Sequence, residues 1–407
     1  MLLIILYAAF VGLGLPAGLL GAAWPVMQVD LAAPVYMAGV VSAILWAGTI
    51  FSTLMTDKLT RMIRPGYVVA GGLFLIIASL FGFSLAGTVW LMFLWAVPLG
   101  LGSGAVDAVI NNYIAVNYSS RHMNWVHCFW GAGAMAGPFI MGFFLDGGMT
   151  WNAGYLTTGI MVVAIFAGVM LTQKLWKPNK IPQLLQNQGK NAGDITDDDK
   201  SKCEEIVQAN HANRLTPRRP SVLRIRGVKY AMLAFFAYCS MEGTAMLWAA
   251  TFLVYTRGIS AESVATFSAL VYIGLTAGRV SAGFISNKIG DRKMVHMGLA
   301  IALAGIILIG LPFLPDVMTL AGLAILGLGC APIFPTLMHA TPAHFGEENS
   351  QALVGIQMAS AYVGLMLVPP LFGMLAGWWG TGIFAPFLFV FFVMNVGAVV
   401  ALNKSVA

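Results

Sequence analysis

Charge is what this chain has least of. Only 9% of its 407 residues are Asp, Glu, Lys or Arg, against 59% hydrophobic, and the mean hydropathy is +0.82. A soluble domain carries about 25% charged residues, so this chain cannot cover a water-facing surface, and lipid is its expected solvent. Cysteine is scarce as well. Cys128, Cys203, Cys239 and Cys330 lack the paired spacing of a zinc site or a disulfide framework. Three of them fall in apolar segments, where a thiol packs as a small hydrophobe. No P-loop, no GxSxG elbow and no metal-spaced His or Cys pair occurs, which argues against an ATP-driven pump, a hydrolase or a metalloenzyme. The expectation is a non-enzyme without cofactor or metal. The N-terminal stretch MLLIILYAAFVGLGLPAGLLGAAWPVM has no basic residues ahead of its apolar run, so it reads as a first membrane span rather than a cleaved signal.

What the chain does have is apolar runs. A membrane helix needs about 20 such residues, and twelve candidates are legible: 2–27, 36–56, 65–86, 89–116, 124–145, 152–173, 229–255, 263–286, 294–314, 317–341, 350–376 and 381–402, numbered here spans 1 to 12. Loops are short except the polar segment 174–228, which divides the chain into 1–173 and 229–407 with six spans each. Lys and Arg are unevenly spread over the two sides. Twenty of the 22 fall on the side of the termini and the central segment, Arg257 lies on the other side, and Arg279 lies inside span 8. The positive-inside rule then predicts a multi-pass protein with both termini cytoplasmic; a bacterial cytoplasmic membrane is the expected location. The basic charge is thereby accounted for as a topology signal, and nucleic acid is excluded as a partner. The acidic run DITDDDK reads as solvated loop.

The two halves resemble each other. GLG at Gly100–Gly102 in span 4 recurs at Gly327–Gly329 in span 10, offset by 227 residues. DKLTRMIR after span 2 recurs as NKIGDRK after span 8, with Asp57 and Asn287 offset by 230. Composition alone also allows a channel or a membrane-embedded enzyme. Two six-span halves in parallel register point instead to a carrier. The expected fold is an all-α integral membrane protein of twelve transmembrane helices in two six-helix bundles.

GFISNKIGDRK, from Gly283 to Lys293, resembles the loop signature of the major facilitator superfamily. The first copy, TLMTDKLTRMIR, keeps Asp57, Lys58 and Arg61 but has Thr53 and Thr60 at the glycine positions. The resemblance implies gating roles for Asp57, Lys58, Arg61, Gly283, Asn287, Lys288, Gly290, Arg292 and Lys293. Glycines there are expected to let neighbouring spans approach, and the charges to meet helix ends. Gly104, Asp107 and Asn111 in span 4, MNWVHCFWGAGAMAGP in span 5 and GLLGAAWP in span 1 are similar to the fucose/hexose-type branch, typified by L-fucose/proton symporters. Members of that branch often carry an acid in a GLPDxLLG-like stretch of span 1. This chain has GLPAGLLG, with Ala17 at that place. The glycines and proline of GAGAMAGPFIMG also resemble the span-5 motif of drug/proton exchangers, with Gly133, Gly137 and Pro138 as helix-packing residues.

Asp107 is the first candidate for the chemistry. It precedes the end of span 4 by about ten residues, hence lies ~15 Å deep, and an intramembrane carboxylate is by default functional. Asn111, one turn on, shares its face, and Asn112 follows it; both are candidate solute ligands. Glu242 in span 7 is offset by 225 from Ala17 and is a second candidate for proton coupling, with Tyr238 at i−4. Trp130 and Trp248 are candidate stacking platforms, and Gln357 a candidate hydrogen-bonder, with Asn395 as either ligand or helix glue. Arg279 is read as a gating residue that pairs with loop acids. His127 could relay protons or be satisfied locally.

Taken together, these residues predict a secondary active transporter for a small polar solute, best matched to a sugar, working by alternating access as a monomer in the bilayer. The coupling ion is expected to be a proton, with sodium the alternative at Asp107 and Asn111. Proton-driven efflux of amphipathic compounds is the rival reading. A non-transporting receptor on a carrier fold is the reading from another class.

Overall fold

The structure is a computed structural model. It describes residues 2–118, 120–176 and 225–406, the side chains at 57, 61, 115–116, 120–121, 123–124, 286–287 and 347–352 excepted. The regular structure among the described residues is helical throughout, as lipid requires when a segment must satisfy its own backbone groups. Among the described residues, eleven stretches are long and apolar enough to cross a membrane. The twelfth expected span, span 7, is a single 30-residue helix, Val228–Arg257, whose residues are mostly buried inside the protein.

Most boundaries agree with the hydropathy reading. Span 2 is Met37–Met62, span 3 Pro65–Ser84, span 4 Val89–Asn117, span 5 Ser120–Asp146 and span 6 Trp151–Leu171. Span 8 is Ala261–Ile289, span 9 Asp291–Gly310, span 11 Glu347–Trp379 and span 12 Phe384–Val406. Two spans differ from expectation because they are broken. Span 1 is split into Leu2–Gly14 and Leu19–Asp30 around Pro16, and span 10 into Asp316–Cys330 and Ile333–His339 around Pro332. Proline removes a backbone donor and its ring clashes with the preceding turn, and hydropathy is blind to that. The short helix Thr341–Phe345 follows span 10. Of the central polar segment, residues 177–224 lie outside the described residues.

Spans 2, 4 and 3 pack together in the first half, and spans 8, 10 and 9 in the second. The repeated GLG has a physical reason in this arrangement. A Cβ on Gly100 would lie 2.1 Å from the Leu45 carbonyl oxygen of span 2, and one on Gly327 2.1 Å from that of Val271 in span 8. The second glycine of each copy faces the next helix. A Cβ on Gly102 would lie 2.4 Å from the Gly72 carbonyl oxygen, and one on Gly329 2.2 Å from the Ala302 nitrogen. The motif is thus a two-sided backbone contact, made once in each bundle.

The bundles meet through spans 5 and 8, spans 2 and 11, and spans 1 and 7. Their close backbone approaches include Gly21 against the Met246 carbonyl oxygen, Gly39 against Pro370, and Gly142 against Thr266. All three lie in the half of the molecule away from the two termini. The surfaces turned outward carry Trp90, Phe143, Phe284 and Trp378 exposed, which suits contact with lipid.

Candidate functional site

Two carboxylates sit at mid-depth on the surfaces where the bundles face each other. Asp107 lies ten residues before the end of span 4, ~15 Å along the helix. Its Oδ1 accepts from Asn111 Nδ2 at 3.0 Å, as the one-turn spacing requires. Its Oδ2 accepts from the Tyr362 hydroxyl of span 11, in the other bundle, at 3.5 Å. Tyr362 also stacks on Trp46 of span 2, with ring centroids 5.8 Å apart. Asp107 thus has only neutral partners described. Asn111 Oδ1 is buried and has no partner among the described residues.

Glu242 is held differently. Its Oε1 accepts from the Tyr238 hydroxyl at 2.7 Å and lies 3.8 Å from Arg279 Nη2. The Arg279 guanidinium in turn sits 5.6 Å from the ring centroid of Trp130, which span 5 of the other bundle supplies. A cation over a Trp face is attracted by the ring quadrupole. Glu242 therefore has a permanent countercharge, and Asp107 has none described. Removing one member of the pair strands the other. Arg279→Gln and Glu242→Gln should each destabilise the protein by on the order of 2 kcal/mol, less than the ~3–5 of a fully buried pair. The double variant should recover most of that loss. Thermal unfolding of the four proteins in one detergent checks this, and a double variant worse than either single one would disprove the coupling.

Several sequence-predicted residues lie elsewhere. Trp248 is fully buried, donates Nε1–H to the Pro369 carbonyl at 2.8 Å and packs on Phe372; it ties span 7 to span 11 instead of offering a face to solute. Gln357 is buried and accepts from Thr341 Oγ1, and Asn395 donates to the Ala234 carbonyl, so both are helix glue here. Tyr238 is buried behind Glu242. Asn112 is exposed, one position round the helix from Asn111. Arg279, expected to meet loop acids, meets Glu242 because its side chain turns into the bundle. His127 sets its ring edge-on against Phe10. A Cβ on Gly133 would lie 2.3 Å from the Val11 carbonyl oxygen, and one on Gly137 2.3 Å from that of Leu15. They fit span 5, with Pro138 beside Gly18, onto the break in span 1. At that break the Ala17 carbonyl accepts from the Tyr272 hydroxyl of span 8 at 3.4 Å; no acid stands there.

In the loop signature, Lys58, Lys288, Gly290, Arg292 and Lys293 are exposed. The side chains of Asp57, Arg61 and Asn287 lie outside the described residues. A Cβ on Gly283 would meet nothing within 4 Å, so close helix approach is not what that glycine provides here. Gly290 has φ +81° between spans 8 and 9, a conformation that glycine adopts without strain. Asp291 pairs with His339 at 2.9 Å.

The sequence reading does not single out Trp46 or Tyr362. A signal for Tyr362 was present: it is offset by 232 residues from Trp130, as Pro370 is from Pro138. Trp46 carries no comparable mark.

Residues 230–405 match the family model described as Major Facilitator Superfamily. The chain is 24% identical over 315 residues to the membrane protein MosC of Rhizobium meliloti, a match that covers 75% of this chain and 65% of that one. It thus spans just under two thirds of that relative's length. Among solved structures it is similar to a D-xylose-proton symporter, with a TM-score of 0.77 and 14% identity over 100% of this chain and 97% of that one. It is also similar to the peptide transporter POT in complex with alafosfalin, with a TM-score of 0.74 and 15% identity over 99% and 94%. Identities this low carry the fold and leave the cargo open.

Proposed function

We propose that this chain is a member of the major facilitator superfamily and a secondary active transporter that moves a small polar solute by alternating access, coupled to a proton carried by Asp107. The observation that carries the reading is that Asp107, between the bundles, pairs only with neutral groups among the described residues. A carboxylate at mid-membrane depth costs about 2.5–3.5 kcal/mol while charged. A proton removes that cost, so protonation decides which states of the carrier are accessible. Glu242, neutralised by Arg279, is the poorer proton carrier and the better fixed part of the solute site.

A sugar is the best match for the solute. Asn111 Oδ1 has no donor among the described residues, and a hydroxyl supplies one; Trp46 and Trp130 border the two acids with faces on which an apolar sugar face can stack. The solved D-xylose-proton symporter shares the fold, as does the peptide transporter. A monomer in a bacterial cytoplasmic membrane, with both termini in the cytoplasm, completes the proposal.

Thermal stabilisation of the purified protein tests it. A ligand stabilises by RT ln(1 + [L]/Kd). The expected result at pH 5.5 and 7.5 is a shift with one monosaccharide, pH-dependent in the wild type and pH-independent in Asp107→Asn. A shift with lipophilic cations alone would replace this reading with efflux. A pH-insensitive shift that requires sodium would replace the proton.

A further inference from the structure

Two aromatic side chains cross between the bundles from positions related by the internal repeat. Trp130 of span 5 lies over Arg279 of span 8. Tyr362 of span 11, 232 residues later, lies on Trp46 of span 2 and gives its hydroxyl to Asp107. Trp130 therefore lays its ring over a charged group of the other bundle, and Tyr362 reaches the other bundle's carboxylate through its hydroxyl, 3.5 Å away. The two groups differ in the permanence of their charge: a guanidinium stays charged at any physiological pH, whereas a carboxylate removed from water can take up a proton. The Trp130 contact is permanent, and the Tyr362 contact depends on whether Asp107 is ionised.

We propose that Tyr362 is the positioning residue that ties the protonation of Asp107 to the approach of the two bundles: its hydroxyl holds the ionised carboxylate across the interface and releases it when the carboxylate takes a proton. This rests on Asp107 as the proton carrier. A hydrogen bond to an ionised acceptor is about twice as strong as one between neutral groups. When Asp107 gains a proton from the aqueous side, the bond from Tyr362 loses that assistance and the ring is left with only its stacking on Trp46. Among the described residues no other charged group competes for the carboxylate. Asn111 on its own span and Tyr362 are its hydrogen-bonding neighbours, span 2 brings the uncharged Trp46, and the Cys239 thiol of span 7 is near Tyr362. Tyr362→Phe removes one oxygen and keeps the stacked ring, so it separates the latch from the packing.

Pulsed electron paramagnetic resonance on the full chain in lipid nanodiscs tests this. Spin labels at Met62, at the end of span 2, and Phe284, near the end of span 8, report on opposite bundles at the face of the termini. Both positions are exposed, and the native cysteines would be replaced by serine or alanine. In otherwise unchanged protein, the ratio of open to closed distances should change about tenfold between pH 7.5 and 5.5, the low end for a hydrogen bond to a charged group. Tyr362→Phe should hold the ratio, at both pH values, at that of the unchanged protein at pH 5.5. Trp130→Phe should keep the tenfold change. A Tyr362→Phe protein that retains the tenfold change would overturn the latch. If Asp107→Asn is then flat, only Tyr362 is rejected and the proton carrier stands. If Asp107→Asn still responds, the proton carrier falls as well. No response in the unchanged protein overturns both.

Discussion

Gly100→Ala and Gly327→Ala are each expected to destabilise the protein by about 3 kcal/mol or more, at or beyond the upper end for overpacking, and by similar amounts. The added methyl would lie 2.1 Å from a carbonyl oxygen in both cases, and the atoms it meets are backbone. A side chain can rotate away; a packed helix backbone must translate. Moving span 2 off span 4, or span 8 off span 10, also disturbs the second glycine of each motif, which seats the next helix. Gly71→Ala is the control. A Cβ there meets nothing within 4 Å, and alanine is the better helix former by roughly 0.8–1.0 kcal/mol, so this variant should be neutral or slightly stabilised. Thermal unfolding in one detergent, with recovery from size exclusion as a second reading, checks all three. Equal midpoints for Gly71→Ala and Gly100→Ala would mean that the bundles do not pack through these glycines.

Asp107→Asn should abolish accumulation while leaving exchange in place. Asparagine keeps the shape and accepts from Tyr362, but it carries no proton and never changes charge. With one proton per solute, a gradient of one pH unit is worth about 1.36 kcal/mol, enough for roughly tenfold accumulation. In proteoliposomes loaded with the solute that stabilises the purified protein, the wild type should concentrate it about that much, and Asp107→Asn should stop at equal concentrations inside and out. Counterflow of labelled against unlabelled solute should persist in the variant. Undiminished accumulation by Asp107→Asn would remove this carboxylate from the coupling step. Glu242→Gln offers the contrast: with Arg279 left unpaired it should lose solute affinity and stability, yet keep whatever gradient response remains.

The local features were legible for reasons that stay local. Span length and apolarity follow from bilayer thickness, so the helices declare themselves residue by residue. GLG at an offset of 227 marks the repeat because both bundles need the same backbone contacts. Asp107 and Asn111 share a face because 3.6 residues make a turn, and no tertiary information is needed for that. The Asp107–Tyr362 contact joins residues 255 positions apart, and the repeat offset from Trp130 marks Tyr362 without saying which residue it meets.

Length, hydropathy and charge asymmetry therefore determined by themselves that this is an all-helical membrane protein of two repeated halves, with a carboxylate placed at mid-membrane depth. Only the tertiary structure decided which of the polar and aromatic side chains meet. It turned Arg279 into the bundle onto Glu242, sealed Trp248 and Gln357 away between helices, and brought Tyr362 across to Asp107. The reason is physical. Depth and face are properties of one helix, set by rise and twist, whereas a partner is chosen by how two helices from different halves are rotated and set against each other. That choice is made by the summed packing of the interface, which no single span contains.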